Sequence, residues 1–543
     1  MSNYSLYYLL LITTYIVLIG VGLINHEMWR DELEAWLIAR DSNSISELFS
    51  NLTFTGHPAL WYLILYLLTR ITHNPVAMQA AHFFIAVAVI SLFVFSSPFN
   101  NLQKTLFCFS YFPLYEYGVI SRSYSLGILL LFTFCILYCR KNQNCLYLSL
   151  ALTLACQVSI YSLIISFFLA LILLFETLYP QKAGLDSQRI TIKSNVIAGF
   201  IFYLLGLLTG IMQIISARTA LTQGELGVAI NNTLQQENPN TLGIFHNFFK
   251  SYIASGLEFE KVINGIWRSY IPVPNAMSKS IWGTNFLTDN QQFYRIGSIN
   301  SAPLVALFFS LALFILFTII FSKQLRVLFI FVGGTLTIYA FGFIAKVPAL
   351  RHNGHLFMLL IICCWLSCYY WQFNFQPTQQ VQSQIVKFTS AKQKIILTII
   401  LFIQFYAGLK IYSLDLVKPF SNLKSVASFI KQNQLEDSII VGTEDSLISP
   451  LSAWLDKEIY YPEINDFGTY TVWTPQSKRR NSNIDQPEIM SQIQQIRQET
   501  TQNIILVTSN RLLSATDAAD LRLIASFEAQ SLNYEEYFIY LVN

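Results

Sequence analysis

Long apolar runs, separated by short polar breaks, set the pattern of this chain. A helix needs about 20 apolar residues to cross a hydrocarbon core of about 30 Å. Runs of that kind lie at 5–24, 76–97, 123–139, 194–215, 301–322, 327–345, 355–372 and 395–412. The stretch 145–179 has Glu176 as its one charge and is too long for a single crossing at about 1.5 Å per residue. It reads as a tight hairpin that bends near Gln157 to Ser162. Two shorter runs, 102–115 and 57–69, are decided by the distribution of charge.

Basic residues collect in the connections Arg140-Lys141, Lys182/Arg189/Lys193, Lys323/Arg326 and Lys387/Lys392/Lys394. Successive members are two crossings apart, so all four share one side, which the positive-inside rule makes the cytoplasmic one. Counting back from Arg140 puts loop 116–122 outside and Lys104 inside, with 102–115 as a crossing. Loop 25–56 is then also outside, and 57–69 cannot cross. At 13 residues it suits a helix lying at the interface. The expected fold is a polytopic α-helical membrane protein of about 11 transmembrane helices. Residues 1–412 form its membrane part, with 25–75 and 217–300 as outer loops.

Beyond residue 412 the pattern changes. Segments 438–442, 458–462, 503–507 and 537–541 are short and rich in Ile, Val and Tyr, and read as strands. Helical stretches at 421–432, 446–455 and 487–499 separate them, so 413–543 is expected to be a small α/β domain on the outer face. Segment 217–300, polar and carrying Pro272 and Pro274, reads as a partly helical loop packed on the membrane part.

Composition sharpens the picture. Of 543 residues, 54% are hydrophobic and only 12% charged, with a mean hydropathy of +0.46, whereas soluble domains carry about 25% charged residues. That excludes an ordinary soluble enzyme, and a net charge of +3 gives no electrostatic footprint for nucleic acid. All eight cysteines fall in apolar runs and read as small core residues. The tail has no GxGxxG and no P-loop, so no nucleotide is assigned to it, and no His/Asp/Glu set has ligand spacing, so no cofactor is firmly implied and a divalent metal is left open.

The few charges on the outer side carry the candidate chemistry. Trp29-Arg30-Asp31-Glu32 follows the first crossing and starts a helix lying along the surface. A carboxylate there can deprotonate a hydroxyl; Asp31 can equally be a cap at the positive end of that helix. His57, in Gly56-His57-Pro58, is either a site residue or a plain helix-start residue. Loop 115–124 adds Glu116, Arg122 and Tyr124; Arg122 either serves the site or snorkels from a helix end. Lys346, Arg351, His352 and His355 stand between two crossings, where they can hold a phosphate or anchor the helix at the interface.

Together these pieces resemble the membrane-embedded glycosyltransferases of the GT-C superfamily, nearest to the bacterial family 39-like enzymes that include protein O-mannosyltransferases and the aminoarabinose transferases acting on lipid A. The resemblance is carried by Asp31-Glu32 in the first outer loop, Gly56-His57-Pro58 opening a short helix with Tyr62 and Leu63, and Arg122-Ser-Tyr124-Ser-Leu126 entering a crossing. It covers roughly residues 1–180. Ala59 stands where a second proline is common, and Thr55 where relatives often carry an acid or other polar group. The resemblance implies a sugar transferred from a polyprenyl-phosphate donor to a lipid, glycan or protein acceptor on the outer face of the plasma (inner) membrane. Asp31 would be the catalytic base, with Glu32 and Glu116 as further acids. Arg30, His57, Arg122, Tyr124, Lys346, Arg351 and His352 would bind substrate. A transporter or flippase, or a polymerase, of lipid-linked glycans is the alternative. Against a transport path, the crossings themselves are nearly free of charge.

Overall fold

The computed structural model describes residues 3–140, 144–179, 194–234, 264–289, 295–296, 299–300, 302–345, 349–373, 380–472, 484, 486–512, 521–528 and 531–542. The chain begins with α1 (Asn3–Asn25), α2 (Arg30–Arg40), α3 (Ile45–Asn51), α4 (Leu60–Thr69) and α5 (Val76–Ser96). Next come α6 (Asn101–Cys108), a π-helical turn (Tyr111–Glu116), α7 (Tyr124–Tyr138), α8 (Cys145–Cys156), α9 (Ile160–Leu178) and α10 (Ser194–Leu234). The membrane part closes with α11 (Gly265–Tyr270), a two-strand ribbon of β1 (Arg295–Ile296) and β2 (Ile299–Asn300), α12 (Ala302–Phe321), α13 (Leu325–Ala345), α14 (Leu350–Phe373) and α15 (Gln380–Asp415).

Eight of these helices are long and apolar enough to cross a membrane. The three other expected crossings are shorter. α7 and α8 are single helices, whereas 101–116 is split into α6 and the π turn and rises only about 24 Å if helical throughout. The hairpin bends where the sequence places it. Ser159 caps α9 by accepting from the Ser162 amide at 3.2 Å. α4 starts beside that bend, its Leu60 amide donating to the Gln157 carbonyl at 2.9 Å, and so lies at one end of the bundle as a ten-residue helix. α10 runs on to Leu234, well past the expected end at 215, so part of the segment read as loop continues a helix. Residues 235–263 of that loop lie outside the described residues.

The basic connections that the structure describes lie together: Glu176 joins Arg326 to Tyr138, two residues before Arg140, and Ser367 joins Gln324 to Gln393, beside Lys394, while Lys141 and Lys182/Arg189/Lys193 lie outside the described residues. Gln103, beside Lys104, donates to the Lys394 carbonyl at 3.2 Å, and Arg326 pairs with Glu176 at 3.2 Å. Glu176 also accepts from Tyr370 at 3.0 Å and from Tyr138, so the one charge of the long apolar hairpin is fully satisfied in the interior. The eight cysteines are all free, and six are buried in the apolar core.

At the other end sits the C-terminal domain. Its sheet runs β5-β4-β3-β6-β8-β7, built from β3 (Ile439–Gly442), β4 (Ile459–Tyr461), β5 (Asp466–Gly468), β6 (Ile504–Thr508), β7 (Leu521–Phe527) and β8 (Tyr537–Val542). β3 pairs in parallel with β4 and β6, and β8 runs antiparallel to β6 and β7. Alternation along β6 sends Ile505 and Val507 to one face and Ile504 and Leu506 to the other. The first face is covered by α16 (Leu423–Gln432), α17 (Asp445–Ile448) and α18 (Leu451–Leu455), the second by α19 (Gln486–Glu499). The four expected strands are present, and β5 and β7 add to them. The expected helix 446–455 is two short helices, with Pro450 at the N-cap of the second.

Candidate active site

The domain and the bundle meet over α2. The Arg40 guanidinium donates to the Ser452 carbonyl at 3.2 Å and pairs with Asp456 at 3.0 Å, while Thr469 donates to Asp41 at 2.5 Å. The long loop joins them: the Ile281 and Trp282 amides both donate to the Leu532 carbonyl, at 3.0 and 3.2 Å. α2, the loop after the π turn, the start of α14 and the Trp282 segment therefore converge.

At their meeting point is Asp31. One carboxylate oxygen receives Arg122 at 2.5 Å and Arg351 at 3.0 Å, and the other receives Arg30 at 3.3 Å. The Asp31 side chain is 11% exposed. Burial works to raise its pKa, but Arg122, Arg351 and Arg30 win and hold the carboxyl well below the usual carboxylate range. It is a true carboxylate at rest, neutralising a tri-arginine clamp. The Arg351 guanidinium carbon lies 5.5 Å from the ring centres of both Trp29 and Trp282, and Arg122 lies 5.2 Å from that of Tyr124. Arg351 Nε and the Tyr124 hydroxyl are buried and have no hydrogen-bond partner among the described residues.

His57 belongs to the same field. Burial and the Arg122 cation, against the pull of Asp31, take its imidazole down to about 4, so it is neutral at ordinary pH. It reaches this place through Gly56, whose φ of +70° only glycine adopts without strain. His352 stacks on Tyr161 with ring centres 5.3 Å apart, beside the clamp. Lys346 lies outside the described residues.

The two other acids stand differently. Glu32 is fully buried, and its carboxylate accepts from the Ser121 amide at 2.6 Å, the Trp29 amide at 3.2 Å and His26 at 3.1 Å. It caps α2 and ties it to the loop that carries Arg122. Glu116 accepts from the Trp282 indole at 2.9 Å and from Tyr111 at 3.2 Å. It fixes the ring that faces Arg351. Neither carboxylate is next to Asp31 in a shared pair.

Sequence reasoning missed His26, Asp415, Trp282 and Tyr117. The buried His26 ring bridges Glu32 and Asp415, the latter at 2.8 Å from the end of α15. Burial opposes its charge, yet Asp415 and Glu32 prevail and raise it to about 10, so it is an imidazolium between two carboxylates. Tyr117 donates to the Arg351 carbonyl at 2.6 Å. The close packing of the loop that supplies it depends on Gly118, where an added Cβ would sit 2.4 Å from the carbonyl oxygens of Pro113 and Leu114. His26 is six residues from Glu32, but Asp415, Trp282 and Tyr117 carry no local signal, because each meets its partner across more than 150 residues. Among the described residues no three His, Cys, Asp or Glu side chains converge as a metal set.

No protein-family model and no curated protein matches the chain. Among solved structures it is similar to ArnT from Cupriavidus metallidurans bound to undecaprenyl phosphate, at 12% identity over 98% of this chain and 97% of that one, with a TM-score of 0.42. The same protein in the apo state gives 11% identity over 99% of this chain and 98% of that one, with a TM-score of 0.34.

Proposed function

We propose that this protein is a membrane glycosyltransferase that moves a sugar from a polyprenyl-phosphate donor to an acceptor hydroxyl on the outer face of the membrane, with Asp31 as the base. The observation that carries the reading is the clamp: one carboxylate opposed by Arg122, Arg351 and Arg30 at the end of a bundle that is otherwise almost free of charge. A phosphodiester is the anion such a set is built to exchange for. The unused Arg351 Nε and Tyr124 hydroxyl are further donors for it.

In this reading the donor phosphate takes Arg122 and Arg351 from Asp31. Its carboxylate, left with Arg30, regains basicity when the acceptor arrives. The acceptor O–H proton passes to Asp31, its oxygen bonds to the anomeric carbon, and the bond from that carbon to the phosphate oxygen breaks with its electrons going to the phosphate. Arg122 and Arg351 stabilise the charge that develops there. Neutral His57 can hydrogen-bond substrate without adding charge, and Tyr124 and His352 flank the sugar. Glu32 and Glu116 are positioning residues, the first for Arg122 through Ser121, the second for Arg351 through Trp282. Such chemistry needs no nucleotide.

The test is purified protein incubated with a panel of polyprenyl-phosphate sugars and scored for released polyprenyl phosphate. Release is expected for at least one donor and is expected to be lost in Asp31→Asn. No donor consumed, with glycolipid moved across vesicles instead, would give the assignment to the flippase alternative.

A further inference from the structure

Asp31 is approached from two directions. On one side are Arg122, Arg351 and the bundle. On the other, Arg30 forms the wall of a cleft of about 410 Å³ between the first outer loop and the C-terminal domain. That volume lies within the range of small-ligand clefts, about 300 to 1,000 Å³. Its walls are unlike those of an apolar ligand pocket. Trp29 and Arg30 line it from the first outer loop, and Glu444, Asn510, Glu535 and Tyr537, with Asn533, Tyr534 and Glu536, from the C-terminal domain.

The polar groups there are already held in place. Glu444 accepts from Ser509 at 2.6 Å and from the Asn510 amide at 3.2 Å. Glu535 accepts from Ser421 at 2.6 Å, Asn533 at 2.8 Å and Tyr537 at 3.2 Å. Two wall residues, Glu444 and Tyr534, adopt the left-handed backbone at φ of +64° and +53°, an unfavourable conformation for side chains of their size. Carboxylates and amides are the groups that accept from and donate to sugar hydroxyls, and Trp and Tyr rings offer flat apolar faces to a pyranose. Three carboxylates, Glu444, Glu535 and Glu536, outnumber the Arg30 guanidinium and the Lys279 ammonium that lies 5.1 Å from the Tyr534 ring, so the cleft disfavours an incoming anion.

We infer that this cleft is the acceptor site and that the acceptor is a saccharide bearing no anionic group, whose reactive hydroxyl reaches Asp31 past Arg30. The inference rests on the transfer reading for its catalytic meaning, but the cleft's ligand is a separate claim. It also gives the C-terminal domain a role, since that domain supplies most of the acceptor wall while the bundle supplies the donor side.

The experiment titrates the purified full-length protein with mannotriose, chitotriose and trigalacturonate, following saturation-transfer NMR and tryptophan fluorescence, Trp29 being in the wall. The neutral trisaccharides are expected to bind and trigalacturonate not to. Glu444→Gln combined with Asn510→Ala should weaken binding by about tenfold or more, the loss of two well-placed hydrogen bonds, one to a charged group. Because that double variant touches two residues that hold each other, Glu536→Lys is the independent arm: an added cation should let trigalacturonate bind. Trigalacturonate binding as well as the neutral sugars, no neutral trisaccharide binding, or no change in selectivity with Glu536→Lys would overturn the assignment. Saccharide binding without consumption of any polyprenyl-phosphate donor would sink the transfer reading and leave the cleft standing. Donor consumption with only anionic acceptors would do the reverse.

Discussion

Asp31 and its three arginines concentrate the testable chemistry at the scale of single residues. Asp31→Asn keeps the shape but removes the base, and transfer should fall by about 10²- to 10⁴-fold, read as polyprenyl phosphate released per protein that still elutes as a monodisperse species. The pH dependence has a defined sign. In the proposed mechanism Asp31 works deprotonated, and the clamp holds its carboxyl below the ordinary value in the free protein. The acid limb of kcat/KM should therefore lie below the usual carboxylate range, while that of kcat, measured with donor phosphate on Arg122 and Arg351, should lie higher. Coinciding limbs would refute the exchange of partners. Arg351→Lys preserves charge but not the planar guanidinium between Trp29 and Trp282, so donor KM should rise by roughly tenfold or more.

At the scale of elements, the arrangement depends on ties between distant helix ends. His26 links the start of α2, through Glu32, to the end of α15, through Asp415. Its folded pKa is raised to about 10, so the tie contributes fully below the unfolded histidine value and is lost as pH rises through about 10. His26→Gln should cost roughly 3 to 5 kcal/mol, because two buried carboxylates lose their shared cation. The wild-type melting temperature is expected to drop between pH 8 and pH 10.5, and this drop should be smaller in the variant. Gly118→Ala should destabilise by about 1 to 3 kcal/mol, since its Cβ would press on two backbone carbonyls; an unchanged melting temperature would mean the loop can shift.

For the whole molecule, the sorting of charge is the organising fact. Among the described residues the basic connections lie at one end, and the clamp, the cleft and the C-terminal domain at the other. The two parts are coupled through Arg40, 4% exposed and bound to Ser452 and Asp456. Arg40→Ala should lower stability by about 2 kcal/mol, a figure held down because Asp456 is half exposed. It should also weaken saccharide binding more than donor binding, since it unties from α2 the C-terminal domain that supplies most of the cleft wall. Equal loss of both would show a general unfolding effect instead.

How much of this was readable before folding follows from the range of each interaction. The crossings, the hairpin at Gln157 to Ser162 and four of the six strands of the main sheet were legible, because apolar length and alternation are local signals imposed by a bilayer and a two-faced sheet. The split of 101–116 into α6 and a π turn was not, since the turn carries Glu116, held by Tyr111, onto the indole of Trp282, 166 residues away. Sequence picked out Asp31, Arg122 and Arg351 as rare charges at the ends of apolar runs, a consequence of the cost of placing ions near lipid. Only the tertiary structure decided that Arg122 and Arg351 meet on the Asp31 carboxylate, that Glu32 and Glu116 bind the segments around it, and that a cleft opens beside Arg30. Those outcomes depend on which buried charges find partners across hundreds of residues, and a linear pattern carries no record of that.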